Sequence, residues 1–382
     1  MKSEISSRLP DIGTSIFTVM SKMALEHGAI NLSQGFPDFP IDPKLIQLVS
    51  KAMAEGHNQY APMPGHPALK KKIADLVQKT YQRATDPDSE VLITAGGTQA
   101  IFSTVSAFIQ AGDEVIIFDP SYDCYDPAVR LNGGVPVHIN LLPPDFSIPW
   151  DEVRSKINSR TKAIMINTPH NPCGSVLSDA DMKKLSSIAN EFDLLVFSDE
   201  VYERIIFDGQ THNSVLKYPG LSTRSVAVFS FGKTFHATGW KIGYTVAPVH
   251  LTTEIRKAHQ FITFSVNTPM QVALAEYLDD HSHILSLAKF YQARRDFFLE
   301  QIKGCSFKPL PCSGSYFQLL SYEATSRESD WTMAERLTKE FKVASIPVSV
   351  FYKDQSDHKL LRFCFAKKEE TLEKAGRILR GV

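Results

Sequence analysis

Apolar residues in the middle of the chain gather into short continuous runs rather than alternating with polar ones. Residues 91–95, 114–118, 135–139, 163–167, 194–197 and 226–229 each read as a strand buried on both faces. Between them the period changes. Residues 97–110 carry apolar side chains at helical spacing, and Ser178 can cap a helix in which Met182, Leu185, Ile188 and Phe192 share one face. Short buried strands separated by helices predict an α/β fold, with a mostly parallel central sheet sandwiched by helices. In such sheets ligands bind beyond the carboxyl ends of the strands, so chemistry is expected just after these runs.

Past residue 280 the pattern shifts. A long polar helix over 283–301, short alternating strands around 315–320 and 360–365, and a closing helix from Glu369 predict a smaller α+β domain. The expected division is a large ligand-binding domain over 41–280 and a small domain over 281–382. Residues 1–40 are too few to fold alone, so this N-terminal segment is expected to pack on the small domain or on a partner subunit.

Charge narrows the function classes. Lys and Arg number 41 against 42 Asp and Glu, which gives no electrostatic attraction to nucleic acid or anionic lipid. No apolar run approaches the ~20 residues that span a bilayer, and the opening MKSEISSRLPDIGTSIF lacks a signal-peptide core. A cytoplasmic protein is expected. Cys124, Cys173, Cys305, Cys312 and Cys364 are scattered, with no C-x-x-C pair, which argues against both a disulfide framework and a zinc site. Asp279-Asp280-His281-Ser282-His283 holds metal-ligand types but no spaced partner, so no metal is expected.

Candidate chemistry does fall after the strand-like runs. Ser230-Phe231-Gly232-Lys233-Thr234 follows one of them, and a lysine withdrawn from water there has a lowered pKa, as an amine needs to form a Schiff base. Gly-Lys-Thr also ends a nucleotide-binding loop, but that motif needs glycine where this chain has Ala227. Lys241 and Ser230 can grip a phosphate. Ala95-Gly96-Gly97-Thr98-Gln99 can cradle one at a helix start, unless its glycines serve packing only. Asp199, in Ser198-Asp199-Glu200-Val201-Tyr202, is either a helix cap or the partner of a buried cation such as a protonated pyridine nitrogen. Tyr202 could then reach the ring's phenolic oxygen. Asn167-Thr168-Pro169-His170-Asn171-Pro172-Cys173-Gly174 reads as a rigid loop presenting Asn171, with His170 structural. Arg362 lies inside an apolar strand and needs a carboxylate, whether from the protein or from a ligand.

Taken together, Asn171-Pro172-x-Gly174, Asp199-x-x-Tyr202, Ser230-x-x-Lys233 and Gly239-x-Lys241-x-Gly243 resemble the class I, fold-type I aminotransferases, which depend on pyridoxal 5'-phosphate. The resemblance runs from Ile30 to Arg362. It is closest to the methionine and the kynurenine/glutamine aminotransferases, through Ser33-Gln34-Gly35-Phe36-Pro37-Asp38-Phe39, Lys233-Thr234-Phe235 and Ile346-Pro347-Val348-Ser349-Val350-Phe351. It implies that Lys233 carries the cofactor as a Schiff base and that Tyr122 stacks on its ring. Gly97, Thr98, Ser230 and Lys241 would hold the phosphate, together with Tyr60 from the other subunit of a homodimer. Gly35, Asn171 and Arg362 would receive the substrate carboxylate, and Phe17, Tyr60, Tyr122 and the partner's Phe264 would line the side-chain pocket. Position 241, often arginine in the wider class, is lysine here: the charge survives and the fork does not.

The implied reaction is ping-pong transamination between a 2-oxo acid and a neutral L-amino acid, methionine first, then aromatic residues, glutamine or kynurenine. Lys233, Asp199 and Tyr202 would be the catalytic residues. A cysteine-S-conjugate β-lyase using the same lysine and cofactor is the alternative.

Overall fold

Continuous apolar runs become strands because both faces of the sheet they form are covered, which the computed structural model makes visible over the residues it describes, 6–382. After a short opening strand, β1 (Ile30–Asn31), seven strands build the large sheet. They are β2 (Val91–Thr94), β3 (Glu114–Asp119), β4 (Val135–Asn140), β5 (Thr161–Asn167), β6 (Leu195–Asp199), β7 (Ser225–Ser230) and β8 (Gly243–Val246). Their order is β2-β8-β7-β6-β5-β3-β4. All neighbours pair parallel except β8, which runs antiparallel to both β2 and β7. Successive side chains of one strand enter opposite cores. Ile116, Ile164, Val196 and Phe229 join one apolar cluster, while Val115, Met165, Phe197 and Val228 join the other.

Helices cover each face. In Asp179–Glu191, Ser178 and Asp181 form a reciprocal capping box, and Met182, Leu185 and Ile188 are buried. Phe192, expected on that same face, ends the helix and stays 36% exposed. The helix Gly96–Phe108 starts two residues after β2.

A second, antiparallel sheet follows, of β9 (Lys308–Pro309), β10 (Phe317–Ser321), β12 (Ile346–Pro347) and β13 (Leu360–Cys364), in the order β12-β13-β10-β9. The two-residue strand β11 (Val343–Ala344) instead pairs parallel with β1. The helix Ile16–Glu26 packs beside it, and Met20 and Leu32 join the apolar cluster of Leu337, Phe363 and Leu372. The long helix Ser282–Gln301 puts Leu287, Tyr291 and Phe298 into that cluster too. Among the described residues no helix is long and apolar enough to cross a membrane. The acidic and histidine run near residue 280 disperses onto separate partners: Asp279 to Lys72, His281 to Lys79 and His283 to Asp42.

This arrangement aims the carboxyl ends of β5, β6 and β7 at the small sheet, whose central strand β13 carries Arg362 in register with Leu319 and Ile346.

Candidate active site

The cleft between the two sheets encloses about 210 Å³, and its lining brings together residues far apart in sequence. At one end lies an anion cradle. The helix Gly96–Phe108 begins with no side-chain cap and no acidic residue in its first turn, so its leading N–H groups face the cleft as donors. Gly96 takes φ +80, and a Cβ there would sit 3.2 Å from Lys241 Nζ. A Cβ on Gly243 would fall 2.7 Å from the Phe229 carbonyl oxygen and 2.9 Å from Gly96 C, so these three strand ends approach as only glycine permits. Lys241 has no carboxylate within salt-bridge reach among the described residues, and Ser230 lies beside it in the lining. Such a set of donors can hold a phosphate-sized anion.

Asp199 ends β6 and does not cap a helix; a turn follows it. The side chain is 5% exposed, its Oδ2 accepts from Tyr125 Oη at 2.6 Å, and the Val201 N–H reaches Oδ1 at 3.3 Å. Burial pushes its carboxyl up to about 6, against the lowering effect of these donors. Among the described residues no cation lies within salt-bridge reach of this carboxyl, and a protonated pyridine would supply one. The adjoining strand end is tied to it: Asn167 Nδ2 donates to the Asp199 carbonyl at 2.8 Å, and Asn167 Oδ1 accepts from the Asn171 N–H at 2.7 Å.

Lys233 follows β7 in a single helical turn, Phe231–Thr234. Its Nζ donates to Tyr316 Oη at 2.8 Å, and that hydroxyl donates in turn to the Gly35 carbonyl at 2.5 Å. The ammonium also lies 5.3 Å from the ring centres of Tyr202 and Tyr316. Burial brings the amine down to about 8. Roughly a tenth of it is then neutral at pH 7, against about one part in 3,000 for an ordinary lysine.

Arg362 is fully buried, yet no carboxylate pairs with it among the described residues. Nη1 donates to Asn171 Oδ1 at 2.8 Å and Nη2 to the Ser33 carbonyl at 2.9 Å, while Nε has no partner. The guanidinium stacks 4.0 Å over Phe317 and 5.2 Å from Phe17. Burial lowers even its pKa, to about 10. A bidentate carboxylate would complete this group.

Of the residues singled out from sequence, Phe17, Gly35, Gly97, Thr98, Tyr122, Asn171, Asp199, Tyr202, Ser230, Lys233, Lys241 and Arg362 all line this one cleft. Tyr60 does not. It is 81% exposed and meets Phe264 edge-on at 5.4 Å, away from its own chain's cleft. Two residues escaped the sequence reading, Tyr316, which holds Lys233, and Tyr125, which holds Asp199; Asn167, which links the two loops, opens the segment singled out there but was given no role. Tyr125 lies three residues past Tyr122, a helical spacing that would have pointed to it. Tyr316 carries no local signal. The donor set as a whole fits a phosphorylated pyridine with an aldehyde, the cofactor implied by the resemblance.

Comparison with known proteins agrees with this geometry. The family described as "Aminotransferase class I and II" matches residues 27–379. Methionine aminotransferase of Escherichia coli (strain K12) is 48% identical over 98% of this chain and 97% of its own length. Kynurenine--oxoglutarate transaminase 3 of Mus musculus is 35% identical over 100% of this chain and 90% of its own. A solved Escherichia coli structure, whose reactivity identified a methionine aminotransferase function, superposes with a TM-score of 0.97 at 47% identity, covering 99% of both chains.

The amine of Lys233 gives a direct test. In cofactor-free protein its labelling by trinitrobenzenesulfonate, read by peptide mass spectrometry, should climb about tenfold per pH unit and level off above about 8. A rate still climbing at pH 10 would show an ordinary lysine.

Proposed function

The chain belongs to the class I and II aminotransferase family, and from that premise we propose that it moves the amino group of a neutral amino acid, methionine first, to a 2-oxo acid, with pyridoxal phosphate carried on Lys233. The observation behind this reading is one cleft that holds a lysine with a lowered pKa, a buried carboxyl without a cation and a buried guanidinium without an anion.

In this reading Gly97, Thr98, Ser230 and Lys241 hold the phosphate. Tyr122 lies along the ring, and Asn171 and Tyr202 stand at its phenolic oxygen. Asp199 keeps the ring nitrogen protonated, and a pyridinium beside it restores the carboxylate that burial disfavours. When bound, the cofactor supplies an electron sink for the charge that develops at the substrate's α carbon. Arg362 and Asn171, beside Gly35, take the substrate carboxylate and so orient the α C–H toward Lys233. Lys233 Nζ accepts the α-proton as general base and returns it later in the same half-reaction, while Tyr316 Oη positions the amine. Donor and acceptor use the same groups in turn, so the kinetics are ping-pong.

Selectivity follows from charge. The cations in the lining are Lys233, Lys241 and Arg362, and each already has a task. None is left for a side-chain carboxylate, while Phe17 and Tyr122 offer aromatic surface to an apolar one. The higher identity to the methionine enzyme than to the kynurenine enzyme puts a thioether first.

Tyr60, Phe261 and Phe264 are 81%, 85% and 48% exposed. We assign this patch to a second copy of the chain, whose cleft Tyr60 would complete at the phosphate.

Added pyridoxal phosphate should give the purified protein a visible absorbance band that methionine bleaches and a 2-oxo acid restores. Lys233→Ala should show neither change, and a wild-type protein with no band would refute the reading. Arg362→Lys should lose about 2 kcal/mol of carboxylate recognition, roughly 30-fold in kcat/KM, with the band intact; unchanged kinetics would remove Arg362 from the site. Sedimentation equilibrium should return twice the 42.7 kDa chain mass, and a monomer of full activity would dismiss the shared site.

A further inference from the structure

A second cavity, of about 430 Å³, opens beside the turn that carries Lys233. Four stretches line it: the approach to the helix Pro43–Ala54, residues Thr234, Phe235 and His236, Tyr277, and one face of the long helix Ser282–Gln301 from His283 to Arg294. It shares no lining residue with the candidate active cleft. Its size lies within the ~300–1,000 Å³ of small-molecule sites.

The walls are largely aromatic. Phe39 meets His236 edge-on at 4.7 Å and Phe290 at 5.2 Å. His236 has the left-handed φ of +58, uncommon for a residue other than glycine, and its Nδ1 is engaged by Tyr291 Oη at 2.8 Å. Burial pushes its pKa down to about 4, so the ring is a neutral wall at physiological pH.

Two charged side chains define what such a cavity can take. Asp42 is saturated: Oδ1 accepts from the Lys44 N–H at 2.7 Å, and Oδ2 meets Tyr277 Oη at 2.8 Å and His283 Nε2 at 2.9 Å. Arg294 is not. Its guanidinium lies 4.5 Å over Phe290 and 5.6 Å from Phe39. Nη1 reaches the exposed Glu369 at 3.2 Å, a pairing of the kind that contributes little, and the solvent-shielded Nε meets no acceptor among the described residues. An amine would find Asp42 occupied. A purely apolar guest would leave the Arg294 charge balanced only by the exposed Glu369.

We propose that this cavity binds a small planar aromatic carboxylate, its ring against Phe39, Phe290 and His236 and its carboxylate on Arg294. Ring stacking and a charge-assisted hydrogen bond to the accessible end of the Arg294 guanidinium would act together. The site is separate from the carboxylate grip of Arg362, so an occupant does not compete with the amino-acid substrate.

The test is a calorimetric titration of the full-length, cofactor-loaded protein with 2-naphthoate, which has neither an amino nor an oxo group and cannot react. Two binding events per chain are expected, one weakened by Arg362→Lys and the other weakened roughly tenfold or more by Arg294→Gln. Ser286→Trp, on the exposed face of the long helix, fills the cavity without removing a buried group and should abolish the same event. It therefore decides the matter should Arg294→Gln fold poorly. Titrations with no event that Arg294→Gln and Ser286→Trp weaken would overturn the proposal.

Discussion

A fully buried guanidinium with no carboxylate beside it is costly, and much of the architecture around the cleft exists to hold one in place. Taking an ion out of water costs several kcal/mol unless its attraction to a counter-charge offsets that. Arg362 meets only neutral partners: an amide oxygen on the loop after β5, a backbone carbonyl just after β1 and the faces of aromatic rings. Those partners come from three separate parts of the chain. The small sheet, the amino-terminal segment and the large sheet are therefore joined at one incompletely satisfied cation, and the anion that completes it must come from outside the fold.

The same logic runs through the rest of the lining with opposite signs. Burial drives Asp199 toward its neutral form and Lys233 toward its own. Three cations and one acid share the lining, an imbalance that only anionic ligands can neutralise. The anion cradle at Gly96 and Lys241 and the fork of Arg362 lie at separate positions, so two anions are called for. Asp199 demands one cation between them. A molecule with a phosphate, a protonated ring nitrogen and a covalent link to lysine meets the first and third demands, and an amino-acid carboxylate meets the second.

Much of this was legible in the sequence because it is local. Buried strands write themselves as unbroken apolar runs, and candidate site residues follow those runs by two to four positions, as Asp199 and Lys233 do. What stayed hidden depends on tertiary distance. Tyr316 reaches Lys233 across 83 positions, and Tyr125 reaches Asp199 across 74. Nothing near Tyr316 separates it from a core aromatic, and Tyr125 has only its place three residues past Tyr122 to mark it. The strand β8 was missed because Gly243 and Thr245 interrupt its apolar character, and its antiparallel course obeys no helix–strand alternation. Tyr60 is a different case. It stands exposed beside Phe264, away from its own cleft, and the role the resemblance gives it belongs to the proposed second copy.

Discrimination among amino acids then becomes a question of what the site does not offer. A ligand carboxylate entering a low-dielectric cleft needs a cation whose charge is not already spent. In the proposed assignment phosphate uses Lys241, the α-carboxylate uses Arg362, and Lys233 must be neutral at the moment it takes a proton. An acidic side chain would lose its hydration without a partner, whereas a thioether or aromatic ring loses little and gains contact with Phe17 and Tyr122. Preference for neutral substrates thus needs no residue that recognises the side chain. It follows from the cations being fully occupied elsewhere.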